Sequence, residues 1–205
     1  MDSIKVLQYV EGSWPQETLA HLWFEMMKEG TTELVWATGK RQSLNDFIRF
    51  FDPIMGRALF IVLYTPEEEE TNLSHIVGAM WLSEIEVGVK AWAHFVFLKR
   101  FWSKGGVRGG AAFALRKGSE IAFSPPLDLQ VVMGRINEAN CFARELVKRI
   151  GMTELGCVPN FYRHGEQTYG VAFYFITREQ FLREQQNVSG RSESDIQSWE
   201  SPLHR

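Results

Sequence analysis

Residues 94 to 115 read HFVFLKRFWSKGGVRGGAAFAL: an aromatic, apolar strand runs into a basic, glycine-rich turn, and a helix of small residues follows at once. Glycine exposes backbone amides, the helix N-terminus adds its partial positive charge, and Lys99, Arg100, Lys104 and Arg108 surround them. Such a turn is an anion site of the kind that holds a phosphate or pyrophosphate.

The flanking segments read as further strands and helices. Ile4 to Val10 reads as a first strand, and the punctuation Ser13-Trp14-Pro15 ends it. Gln16 to Lys28 carries Leu19, Leu22, Trp23, Met26 and Met27 at helical spacing. Ser43 is placed as the N-cap of a second helix running to Met55, with Leu44, Phe47, Ile48 and Phe51 on one face and Pro53 near its end. Three strands follow at Ala58 to Tyr64, Ile76 to Val87 and Ala91 to Leu98. Glu67 to Glu70 between the first two reads as a solvated loop, the alternative being a rim that attracts a cationic substrate.

Beyond the turn, a helix from about Val107 to Phe123 ends at Ser124-Pro125-Pro126. Leu129 to Ile136 is a buried strand, and Asn137 to Ile150 is a helix closed by Gly151. Thr153 to Tyr162 and Thr168 to Thr177 form a hairpin across His164-Gly165-Glu166, in which Tyr162 and Tyr174 pack. Arg178 to Gln186 forms a short helix. The fold class expected is mixed α/β, a mostly antiparallel central sheet of about seven strands flanked by helices. Residues 1–186 make one domain and the Ser-rich residues 187–205 a polar, flexible tail.

Composition narrows the function. A formal net charge of −3 gives no global field for nucleic acid, so any polyanion binds locally at the turn. Cys141 and Cys157 are too few and too irregularly placed for a disulfide framework or a zinc site, and read as reduced, mostly buried thiols; no metal is expected. No apolar run approaches the roughly 18 residues that span a bilayer, and no leader is evident, so the expected location is the cytoplasm, away from membranes.

Two phosphate motifs fail on spacing. Gly105 and Gly110 are placed as in a P-loop, but Ala111 and Ala112 stand where Lys and Ser/Thr are needed. The glycines at 105, 106, 109 and 110 do not make the dinucleotide spacing G-x-G-x-x-G. Arg100-Phe101-Trp102-Ser103-Lys104-Gly105 instead resembles the acyl-CoA turn Q/R-x-x-G-x-G/A of the GNAT N-acetyltransferase superfamily, with Ser103 in place of its first glycine. Phe101 to Gly105 is similar to the Tyr-Trp-Gly-Lys-Gly of the ribosomal-protein N-acetyltransferase branch, and Trp92 to Phe97 occupies the place of its Glu-Ile-Gly-Tyr strand. Asn140 to Met152 resembles the superfamily's helix Asn…Glu-Lys-Leu-Gly-Phe/Met. The likeness covers about residues 1 to 180 in the same order of elements.

The resemblance implies a GNAT acyl-CoA N-acyltransferase fold whose fourth and fifth strands splay apart around the pantetheine arm of acetyl-CoA. Phe97 and Leu98 would offer it backbone hydrogen bonds. The amides of Ser103, Gly105, Gly106, Val107 and Arg108 would hold the pyrophosphate, with Arg100, Lys104 and Arg108 adding charge. Asn140 would reach the pantetheine, or simply cap its helix. The implied reaction moves an acetyl group to the primary amine of a protein N-terminus or a small molecule, and a homodimer is the candidate assembly.

This chain departs from the pattern at three polar positions. Val147 replaces the frequent tyrosine acid, Ala143 the serine and Trp92 the glutamate of the ribosomal-protein branch. His94 is then the candidate base, because an unperturbed imidazole titrates near neutrality, with Glu84 and Glu86 as lesser candidates. Cys141 as a nucleophile has no partner base in sequence. These losses leave a second reading open, a GNAT-fold module that binds CoA or a protein partner without catalysis.

Overall fold

Apolar, aromatic and β-branched runs pair into one sheet. Its strands are β1 (Ser3–Gln8), β2 (Ala58–Thr65), β3 (Ile76–Glu86), β4 (Lys90–Phe97), β5 (Val131–Asn137), β6 (Thr153–His164) and β7 (Gln167–Thr177). Their order in space is β1-β2-β3-β4-β5-β7-β6. All neighbours are antiparallel except β4 and β5. The helices are α1 (Gln16–Glu29), α2 (Leu44–Phe50), α3 (Gly110–Phe123), α4 (Cys141–Arg149) and α5 (Arg178–Ser189). This computed structural model describes residues 3–8, 16–32, 43–50, 58–65, 76–99, 110–164 and 166–189.

Helices cover the sheet on both faces. Leu19, Leu22, Trp23 and Met26 of α1 and Phe47 of α2 pack on Ile76, Ala79, Trp81, Val96 and Leu98. On the opposite face, Ala111, Ala114 and Leu115 of α3 and Leu146 and Val147 of α4 meet Val77, Met80, Phe97, Val132 and Ile176, with Phe181 of α5 joining them. Alternation along β4 thus sends Val96 toward α1 and Phe97 toward α3.

A bulge keeps β3 in phase with both layers. Val62 pairs with Gly78 but Leu63 with Ile76, so Val77 is an inserted residue, and Ile76 and Ala79 come to share the α1 face. Gly78 is required beside it, because an added Cβ would lie 2.1 Å from the Val96 carbonyl oxygen and 2.9 Å from Phe97 Cα.

Local capping sets the helix ends. Ser43 Oγ accepts from the Asp46 amide at 3.2 Å while Asp46 Oδ2 accepts from the Ser43 amide at 3.0 Å, a reciprocal cap at the start of α2. Thr177 and Gln180 repeat the arrangement for α5, at 3.1 and 2.9 Å. Gly151, at φ +91°, ends α4, and the Met152 amide donates back to the Val147 carbonyl at 3.1 Å.

Three expectations are corrected. The helix expected from Asn137 begins at Cys141, because Asn137 is still paired with Val171 in the sheet. Cys141 and Cys157 are free but exposed: Cys141 opens α4 on its outer side and Cys157 lies on the edge strand β6. The last helix continues through Ser189, past the tail boundary drawn at Gln186. Ser13-Trp14-Pro15, Pro53, Glu67 to Glu70, the turn from Arg100 to Gly109 and residues 190–205 lie outside the described residues.

Tyr174, fully buried on β7, ties α4 to the hairpin. Its hydroxyl donates to Glu154 Oε2 at 2.9 Å and accepts from Arg144 Nε at 3.1 Å. Arg144 and Lys148 each reach a Glu154 oxygen at 3.2 Å. The hydrogen bond from Tyr174, and then that from Lys148, hold the Glu154 carboxyl below its usual range. Burial pushes the Tyr174 hydroxyl up.

Two predictions follow from these contacts. Gly78→Ala should lower stability by about 1–3 kcal/mol or more, read as a fall in thermal midpoint of roughly 2–4 °C per kcal/mol for a chain of this size; an unchanged midpoint would refute the close approach. Because the folded Glu154 carboxyl titrates below its unfolded value, its stabilisation is complete above the ordinary glutamate pKa and is lost as pH falls through the lowered one. Urea denaturation from about pH 7 to pH 3 should therefore show Glu154→Gln less stable than the parent at neutral pH, with the difference closing in acid. A gap that stays constant would exclude the carboxylate as its source.

Candidate active site

The parallel pairing of β4 with β5 is short. Lys90 pairs with Val131, Ala91 with Val132 and Trp92 with Met133, and there the ladder ends. β4 continues along β3 as far as the Gly78–Phe97 pair, and β5 continues along β7 to the Asn137–Val171 pair. Each strand is held by its antiparallel neighbour, and the two part company. A cavity of about 150 Å³ occupies the opening, walled by Ala93, His94 and Phe95 of β4, Gly134, Arg135 and Ile136 of β5, Leu115 and Ser119 of α3, and Ala143 and Val147 of α4.

Register decides which backbone groups face the opening. The Leu98 amide donates to the Val77 carbonyl at 2.9 Å, so positions 98 and 77 form a hydrogen-bonded pair. In an antiparallel ladder the pairs alternate, so Phe97, Phe95 and Ala93 aim their amides and carbonyls away from β3, toward β5. Ala93 lies just past the last β4–β5 pair, and beyond it the wall is a strand edge without a partner strand.

Side chains make the two sides of the opening unlike. Toward α3 and α4 it is apolar, lined by Phe95, Leu115, Ala122, Ala143, Val147 and Ile150. Asn140 stands at the start of α4. Its Oδ1 accepts from the Ala143 amide at 3.0 Å, as the capping reading expects, and its side-chain NH2 and the second Oδ1 lone pair can still serve a ligand. On the other face is His94, half-buried, its ring stacked 5.2 Å from that of Trp81 at 9° and its Nε2 2.9 Å from Ser83 Oγ. Across the gap, Arg135 lies over the Trp92 ring at 5.6 Å.

Of the residues expected from sequence, His94 and Asn140 line the cavity and Phe97 aims its backbone into the opening above it. Leu98 does not, since its amide is committed to Val77. Arg100, Ser103, Lys104, Gly105, Gly106, Val107 and Arg108 lie outside the described residues. The described ends that this turn joins are Lys99, whose amide donates to Glu29 Oε2, and Gly110, the first residue of α3. Val147 and Ala143 face the cavity, whereas Trp92 packs edge-on against Phe173 at 6.3 Å. Glu84, at φ +51°, sits in a second β3 bulge and is exposed, as is Glu86. Sequence reasoning missed Arg135. The signal was a lone charge in the apolar run Val131 to Ile136, at a position that alternation places with Met133 and not with Val132.

Among the described residues no group of three or more His, Cys, Asp or Glu side chains could hold a metal ion. None of the described helices is long and apolar enough to cross a membrane.

No family model matches the sequence, and no curated protein sequence does. Solved structures do match in three dimensions. The spermidine N-acetyltransferase from Vibrio cholerae, crystallised in complex with CoA and spermine, superposes with a TM-score of 0.66 over 87% of this chain and 98% of its own, at 16% identity. The ribosomal-protein-S5-alanine acetyltransferase from Vibrio fischeri superposes with a TM-score of 0.65 over 87% of this chain and 94% of its own, at 11% identity. Open sheet, parted strands and helices on both faces together give this chain the fold of the GNAT acetyltransferases, the superfamily that its sequence resembles.

Proposed function

We propose that the protein is an acyl-CoA-dependent N-acetyltransferase, with acetyl-CoA as donor and a primary amine as acceptor. The observation that carries this reading is the splay, an apolar cavity with the backbone of Phe95 and Phe97 turned into the gap above it. An alkyl chain interrupted by amides suits that wall, because its amides can pair with a strand edge while its methylenes meet Leu115, Ala122 and Val147. The neighbours' fold supports the same reading. Acetyl-CoA, when bound, supplies the activated thioester.

His94 is the base in this scheme. In the tautomer whose Nε2–H donates to Ser83 Oγ, Nδ1 is the basic nitrogen, and the Trp81 stack and the Ser83 bond fix the ring plane. Nδ1 takes the proton that the acceptor ammonium must lose before its nitrogen can attack. With acetyl-CoA bound, the nitrogen–carbon bond would form as the carbon–sulfur bond breaks, the sulfur would leave as a thiolate, and the second proton shed by the attacking nitrogen would pass to solvent or to that thiolate. With Val147 and Ala143 on the cavity wall, α4 offers no hydroxyl to protonate it. A thiol of pKa near about 8.5 leaves adequately without that help, so the loss of an acid costs this reaction less than the loss of a base.

Two substitutions test the scheme. His94→Ala should lower turnover by roughly 10²–10⁴-fold while calorimetry finds acetyl-CoA affinity little changed; retained turnover would remove His94 from the chemistry. Gly105→Glu places a negative charge in the proposed pyrophosphate turn and should abolish CoA binding with the circular dichroism spectrum intact. Unaltered affinity would move the phosphate site elsewhere.

A further inference from the structure

The parted strands place one cation where the acceptor must approach. β4 and β5 run parallel, and Trp92 and Met133 are their last paired residues. Two residues further along each strand stand His94 and Arg135, on the same face of the sheet and at the same level, one on either side of the opening. Both line the cavity. Arg135 is exposed, and among the described residues it makes no ion pair with an Asp or Glu; its guanidinium rests on the Trp92 ring at 5.6 Å. A guanidinium fixed over a ring in this way keeps its donors directed outward and loses little freedom when it binds an anion.

Aromatic surface continues beside it. Phe173, the Cα partner of Arg135 on β7, packs edge-on against both Trp92 and Phe161, at 6.3 and 5.7 Å, and Phe161 is 48% exposed. The acceptor side therefore presents a base, a cation with no carboxylate partner among the described residues and a row of rings. A polycationic acceptor would meet Arg135 as a like charge. An amine that also carries a carboxylate would meet it as a bidentate partner.

We propose that Arg135 selects the acceptor: the substrate is an amino acid with an aromatic or large apolar side chain, its carboxylate held by Arg135, its side chain laid along Trp92, Phe173 and Phe161, and its amine thereby presented to His94. This rests on the acetyltransferase reading and adds the acceptor class to it. Arg135 is a specificity residue here and takes no part in proton transfer.

The test uses the full chain and three probes: L-phenylalanine, L-phenylalaninamide, which lacks the carboxylate, and spermidine. Acetyl-CoA titration comes first and reports on the donor site alone. Each amine is then titrated calorimetrically into the CoA complex and, in parallel, supplied with acetyl-CoA while thiol release is followed. Phenylalanine is expected to bind at least tenfold more tightly than its amide and to be the best acceptor of the three. Arg135→Ala should erase the preference chiefly through KM, leave acetyl-CoA affinity unaltered and retain the parental circular dichroism spectrum, and Arg135→Lys should restore part of it. Amide and acid binding equally, spermidine proving the better acceptor, a preference that survives Arg135→Ala, or no amine binding beside intact acetyl-CoA binding would each overturn the assignment and leave the donor site standing. Failure to bind acetyl-CoA would instead overturn the acetyltransferase reading.

Discussion

The structure depends on the point at which β4 stops pairing with β5. Continuing the parallel ladder would satisfy backbone groups that otherwise face a cavity, and leaving a buried amide or carbonyl unpaired costs about 1–3 kcal/mol. The split nevertheless persists because each strand has a better-matched neighbour. β4 is tied to β3 out to Phe97, where Gly78 lets the two backbones come closer than any side chain would permit. β5 is paired with β7 along its whole length. Both anchors are antiparallel, the somewhat stronger arrangement per residue, and the short parallel seam between them is where the sheet opens.

The opening gives the molecule two unlike sides from one pair of strands. Residues alternate across a strand, so a single step along β4 passes from Phe95, which faces the α3–α4 core, to His94, which faces Trp81 and the α1 side. The same step along β5 passes from Ile136, buried in the core, to Arg135, outside it. Nothing but the pleat is needed to put an apolar channel on one face and a titratable group with a fixed cation on the other. A reaction between a long amide-bearing donor and a small polar acceptor can use such a passage without either crossing the other's path.

Much of this was legible in the chain. The strands around Ala58, Ile76 and Ala91 follow from runs of apolar, aromatic and β-branched residues, and Ser43 announces a helix start by a side chain that can reach its own first-turn amides. Gly151 announces an end in the same local way. Signals fail where the deciding partner is remote. Asn137 has a helix-compatible neighbourhood and is a strand residue only because Val171, far along the chain, pairs with it. Cys157 reads as buried by residue type, yet β6 is the outermost strand and turns it to solvent. His94 could be singled out for its chemistry, but Arg135 acquires meaning only once two strands are known to run parallel and in register.

Helix α4 explains why so few polar groups carry so much. Asn140 caps its start, Gly151 closes its end, and Arg144 and Lys148 pin its outer side to Glu154 and Tyr174. The helix is thereby held rigidly with its small apolar side chains, Ala143 and Val147, turned to the cavity. These side chains keep the α4 wall of low polarity, and charges near its edge are screened less than they would be in water. The polar groups beside the cavity that the proposed reaction would use lie on the opposite lip, where Ser83 and Trp81 contact the imidazole and Arg135 lies over the Trp92 ring. Aromatic side chains thus contact both groups, Trp81 stacking on His94 and Trp92 lying under Arg135.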